Sequence, residues 1–173
     1  MNFVGTDFDM QTKNVVLVRI LMAVFIFAMT VLQSTVIRGI EVFHVVPNLL
    51  LITVICYSLL CGDYSAIAVG VVCGLLLDIT GGRIVGMHTV LCTFAAYFCV
   101  CVSGNLFNNN ALVSMVFVLL LSIPYEFLTY LLYFAIWGHG SFFYALLVHV
   151  LPAAVYNFVV TLIIHPIVRK IVL

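Results

Sequence analysis

One acidic residue stands inside a long apolar run. Glu126 falls between Ala111 and Trp137, two residues after Pro124. An ionised carboxylate near the middle of a bilayer costs about 2.5–3.5 kcal/mol on insertion scales, so such a residue is neutral, paired, or turned to a cavity. It can serve as a proton or ligand site, or as an interhelical hydrogen bond that fixes packing beside Pro124. The second use is the expected one. Counting inward from the turn at Gly138, the matching depth on the next apolar run lies between His149 and Asn157, and either side chain can pair with Glu126.

Asp78 closes a second apolar run, Ser65 to Leu77. At a helix C-terminus the macrodipole disfavours an anion. Arg83, a loop N–H or a partner protein must therefore favour it. The five histidines have no ligand spacing: neither H-x-x-x-H nor H-E-x-x-H occurs. There is no nucleophile elbow, no P-loop and no close pair of acids, so no catalytic, cofactor or metal role is expected. Cys56, Cys61, Cys73, Cys92, Cys99 and Cys101 all fall in apolar stretches without a C-x-x-C, and Cys99 and Cys101 point about 200° apart on a helix. They read as small apolar residues.

The elements that must position these groups are membrane helices. Of 173 residues 66% are hydrophobic and 7% charged, where soluble domains carry about a quarter charged. The mean hydropathy is +1.35. The net charge of zero gives nucleic acid nothing to bind. The expected architecture is all-α, a polytopic helix bundle with about six transmembrane helices in a single domain. A short cytoplasmic tail at 1–14 precedes the bundle at 15–165, and a second tail follows at 166–173. Val15 to Ile37 is the first span. Pro47 to Cys61, with Pro47 in the first turn, and Asp63 to about Leu77, with Asp63 as cap, are both short. They are two thin spans or one re-entrant hairpin. His88 to Gly104, Ala111 to Trp137 and Phe142 to Ile164 complete the set, with His165-Pro166 as the final stop.

Lys13, Arg19, Arg169 and Lys170 fall on one side of such a bundle, and Arg38 and Arg83 on the other. The excess of cations puts both termini in the cytoplasm. Tyr133, Trp137 and Tyr144 then form a belt at the outer interface.

Gly62, Ala66, Gly70 and Gly74 recur at every fourth position, and the spacing continues to Asp78, Gly82 and Gly86. Residues four apart share a helix face. Ala66, Gly70 and Gly74 make a shallow groove where another helix can approach closely, either inside the bundle or from a partner.

Taken as a set, Pro47-Asn48-Leu49-Leu50-Leu51, Gly62, Gly70, Gly74-Leu75-Leu76-Leu77-Asp78 and Gly86 resemble the bacterial rod shape-determining MreD family. The motif covers about forty residues; length, the leading helix and short polar tails agree with it. The resemblance implies a non-catalytic scaffold of the cell-elongation machinery in the plasma (inner) membrane. Its partners would be an MreC-like bitopic protein, the peptidoglycan elongation synthases and membrane lipid, with no small-molecule substrate. It carries over no catalytic residue. The family fold is thought to be similar to the substrate-binding subunits of vitamin-type, energy-coupling factor transporters, so such a subunit is the alternative. Those proteins carry A-x-x-x-A on the first helix; here Ala23 is followed at that spacing by Phe27, which weighs against transport.

Overall fold

The computed structural model describes residues 4–35, 46–81, 84–106, 111–137 and 150–172, with side chains described from residue 15 on and not at 104–106 or 135–137. Within these residues the chain forms six helices: α1 (Val4–Thr35), α2 (Leu49–Cys61), α3 (Ser65–Thr80), α4 (Met87–Leu106), α5 (Ala111–Trp137) and α6 (Leu151–Val172). Three stretches are long and apolar enough to cross a membrane: Val15–Thr35, Ala111–Phe134 and Leu151–Val172. Apolar stretches of α2, α3 and α4 are shorter. This is the helical membrane bundle that the composition requires.

The bundle is built around α2. Its sequence, LLLITVICYSLLC, has no charged residue, and everything from Leu49 to Leu59 is buried. A helix apolar on all sides belongs inside. Accordingly α2 touches α1, α3, α4, α5 and α6. At about 1.5 Å per residue its thirteen residues span about 20 Å, well short of a bilayer's hydrocarbon core of about 30 Å.

The ends of α2 are set locally. Asn48 is the cap, its Oδ1 accepting from Leu51 N at 3.0 Å. Pro47 therefore sits just outside the helix rather than in its first turn, because the asparagine side chain can satisfy a free N–H and proline cannot. At the other end Gly62 takes φ +60°, and its N–H bonds Ser58 O at 3.0 Å. This left-handed stop suits glycine, and a Cβ there would also come within 3.0 Å of Ser103 Oγ. Asp63 lies one residue too early to cap α3. Its carboxylate accepts from Tyr64 N at 2.8 Å and holds the turn, and Tyr64 occupies the cap position.

The small-residue groove is filled from within the protein. Ala66, Gly70 and Gly74 are buried, and α4 lies against them. A Cβ on Gly74 would stand 2.4 Å from Thr89 Cα and 2.8 Å from His88 O. One on Gly70 would stand 2.8 Å from Ala96 Cβ and 3.0 Å from Cys92 O. Close approach of the α3 and α4 backbones is what the spacing provides.

Helix α1 is held by a single stripe, Met22, Ile26 and Thr30, while Val24 and Phe27 are exposed. Between α1 and α3 a cleft of about 590 Å³ remains, lined among others by Arg19, Ala23, Phe27, Tyr57, Ala68 and Val72.

Two expected tails are helical. The first helix starts at Val4, so most of 1–14 is a helical extension. At the other end α6 runs through Pro166 to Val172. Proline removes one backbone bond there, but burial of Ile164, His165 and Val168 on either side of it keeps the helix docked. Arg38, Gly82, Arg83, Tyr144 and His149 lie outside the described residues.

Candidate functional site

The polar side chains gather at one end of the bundle, where α1 and α3 end and α2 and α4 begin. Asp78 is one centre of this cluster. Its Oδ1 accepts from His88 N at 3.1 Å. Its Oδ2 accepts from Gly86 N at 3.0 Å, Thr89 N at 3.1 Å and the Thr89 hydroxyl at 2.5 Å. An anion misplaced at the end of its own helix thus sits at the start of the next. There, free N–H groups and the positive end of the dipole favour it. Of the options open for Asp78, the backbone N–H groups of the turn and of the start of α4 are used, and Arg83 lies outside the described residues. Gly86 is at φ +90° with open space where a Cβ would go, so its backbone conformation, not crowding, calls for glycine.

The second centre joins α2, α4, α5 and α6. Asn48 N donates to Asn157 Oδ1 at 2.8 Å, and Asn157 Nδ2 donates to Ser122 Oγ at 3.1 Å. Asn48 Nδ2 donates to the Tyr125 hydroxyl at 3.2 Å, which lies 2.7 Å from His88 Nδ1. The rings of His88 and Tyr125 stack at 5.9 Å. Gln33, near the end of α1, accepts from Leu50 N at 3.2 Å through Oε1. In a low-dielectric interior each of these bonds satisfies a group that would otherwise be costly to bury.

Glu126 does not join this network. Asn157 does tie α6 to α5, but at Ser122, one turn before Glu126, and both ends of its amide are occupied. The expected Glu126–Asn157 pair is therefore absent, and His149 lies outside the described residues. Glu126 instead lines a cavity of about 270 Å³ together with Gln33, Asn48, His88, Tyr125 and Thr129.

Of the residues singled out from sequence, Asn48, Asp78, Gly86 and Asn157 meet in this polar end, and Glu126 borders it. Pro47 is buried beside it. Gly62 is a helix stop at the opposite end of α2, and Ala66, Gly70 and Gly74 form the seam with α4. Sequence reasoning missed Gln33, His88, Thr89, Ser122 and Tyr125. One signal was available: Ser122 lies one turn before Glu126 on the same helix face. His88 and Tyr125 have none, because they are far apart in sequence and meet only through folding.

No curated protein and no solved structure matches the chain. A family model described as rod shape-determining protein MreD matches residues 13–172. With nearly its whole length matched and the motif residues placed on the capped, close-packed α2–α3–α4 unit, the chain belongs to the MreD family of rod shape-determining membrane proteins.

Proposed function

We propose that this protein is a non-catalytic scaffold of the cell-elongation machinery. It holds the transmembrane helix of an MreC-like bitopic partner and, through it, couples to peptidoglycan synthesis. Family membership supports the shape-determining role in the membrane. The observation that carries the scaffold reading is the loosely held α1 beside an apolar cleft of about 590 Å³. The groove of small residues is already taken by α4, so it offers no place for a partner. The cleft between α1 and α3 does, with Ala23 and Ala68 to admit a helix closely and Arg19 at one end to meet a headgroup or an acidic side chain. Both termini are cytoplasmic in this reading, and the polar end of the bundle faces outward.

The test is capture of a co-expressed MreC-like protein in detergent. Ala23→Trp and Val72→Trp fill the cleft and should reduce capture at least fivefold at matched abundance. Val90→Trp, on the exposed side of α4, should leave it unchanged. Failure of the parent chain to capture the partner refutes the scaffold reading. Loss with Val90→Trp alone moves the contact to another face.

A further inference from the structure

Glu126 is the one formally charged side chain among the described residues lining the polar cavity. Among the described residues nothing donates a hydrogen bond to its carboxylate, although the side chain is half-buried within the bundle. One turn on, on the same face, the Thr129 hydroxyl is buried without a partner. Asp78, the nearby acid, has both oxygens occupied by Gly86, His88 and Thr89. Among the described residues the cavity therefore presents an acid without a donor and a spare hydroxyl, partly screened from water, where a complementary cation gains more than in bulk water.

We propose that this cavity binds a primary ammonium group, that of an ethanolamine-type lipid headgroup or of a small free amine, against the Glu126 carboxylate. A divalent metal does not fit. Calcium takes six to eight oxygens, usually from several carboxylates, and the described residues contain no group of three or more acidic, histidine or cysteine side chains. A quaternary ammonium needs open aromatic faces, and the Tyr125 ring is stacked on His88. A primary ammonium needs hydrogen-bond acceptors, which the Glu126 carboxylate and the Thr129 hydroxyl provide. The volume, about 270 Å³, equals that of about nine waters, enough for an ethanolamine unit. This inference is independent of the scaffold reading.

The test uses the full chain, delipidated in detergent. Ethanolamine is titrated while the thermal unfolding midpoint is followed, with choline and ethylene glycol as controls at equal ionic strength. Ethanolamine should raise the midpoint saturably and the controls should not. Glu126→Gln should need at least tenfold more ethanolamine, and Thr129→Val about threefold more. In a second arm the protein is placed in phosphatidylglycerol nanodiscs containing phosphatidylethanolamine or phosphatidylcholine, and co-purifying lipid is counted by native mass spectrometry. Selective, Glu126-dependent retention of phosphatidylethanolamine identifies the headgroup as the source. Saturation by ethanolamine without lipid retention identifies a free amine. Equal responses to ethanolamine and choline, or Glu126→Gln binding like the parent in both arms, overturns the proposal. Should Glu126→Gln not fold, Thr129→Val and the ammonium selectivity decide it.

Discussion

Asp78 and Thr89 are joined twice, the Asp78 Oδ2 accepting from both the backbone N–H and the hydroxyl of Thr89 across the turn between α3 and α4. One side chain thereby closes the hairpin and caps its second helix. The same two helices meet at Gly74, whose missing Cβ leaves room for the Thr89 backbone. Asp78 and Gly74 are four apart and act on the same residue.

Replacing Asp78 with Ala should leave three backbone N–H groups without their acceptor. The expected loss is about 2 kcal/mol, in the range for a helix cap and for charge-assisted bonds. Thr89→Val removes only the hydroxyl bond and should cost about 0.5 kcal/mol, as interhelical side-chain bonds in membranes do. Unfolding of the purified protein measures both. Equal losses in the two variants would show that the backbone caps contribute little.

Gly74→Ala should destabilise the isolated chain by about 1–3 kcal/mol, because backbone atoms of α4, not a flexible side chain, stand in the way. Gly70→Ala should cost less, since its nearest obstacles, Ala96 Cβ at 2.8 Å and Cys92 O at 3.0 Å, stand farther off than the 2.4 Å to Thr89 Cα at Gly74. Gly74→Leu should not accumulate. The readout is melting of the protein without any partner present. A full-stability Gly74→Ala would mean that the α3–α4 seam opens more easily than its geometry indicates.

Much of this was legible in sequence. The four-residue spacing of Ala66, Gly70 and Gly74 announces a close helix contact, and Gly62-Asp63 announces a break. What spacing does not contain is the identity of the neighbour, because a groove looks the same whether α4 or a foreign helix fills it. Asp78 shows the same limit: its misfit with its own helix is visible, but its solution lies eight to eleven residues on. The helix ends at Val4 and Val172 were illegible for a different reason. The polar residues after Val4 weaken a helix only modestly, and at Val172 the docking of Ile164 and Val168 outweighs the backbone bond that Pro166 removes. His88 against Tyr125 is a contact between residues 37 apart, and no local pattern encodes it.

Glu126→Leu should leave the isolated protein equally stable, or more stable by about 1 kcal/mol. A half-buried carboxylate without a donor among the described residues adds little to the fold and costs desolvation; residues kept for binding are commonly stability liabilities. Thermal unfolding in the absence of amines is the measurement. A marked destabilisation would show that Glu126 has a structural partner after all.

The last prediction concerns orientation, which decides what the polar cavity faces. Lys13 and Arg19 precede or begin the first span, and Arg169 and Lys170 stand in the last turn of α6. Cations retained on the cytoplasmic side set topology, so both ends of the chain should be inside. Helix α1 then runs outward, and its final turns, with Gln33, reach the polar end at Leu50 N. With both ends inside, the cavity should lie on the outer side. It is also recessed: α5 continues twelve residues beyond Tyr125 to Trp137, about 18 Å of helix, whereas α2 and α4 begin near the level of Tyr125, at Asn48 and His88. A ligand would therefore reach Glu126 from the outer leaflet or the outer medium. Reporter fusions after Leu173 and within 107–110 should both read cytoplasmic. A cysteine placed at Gly138 should react with an impermeant maleimide added to whole cells, provided the outer envelope is permeabilised and the native cysteines are replaced by Ala. Labelling at 107–110 instead of Gly138 would invert the molecule and turn the cavity toward the cytoplasm.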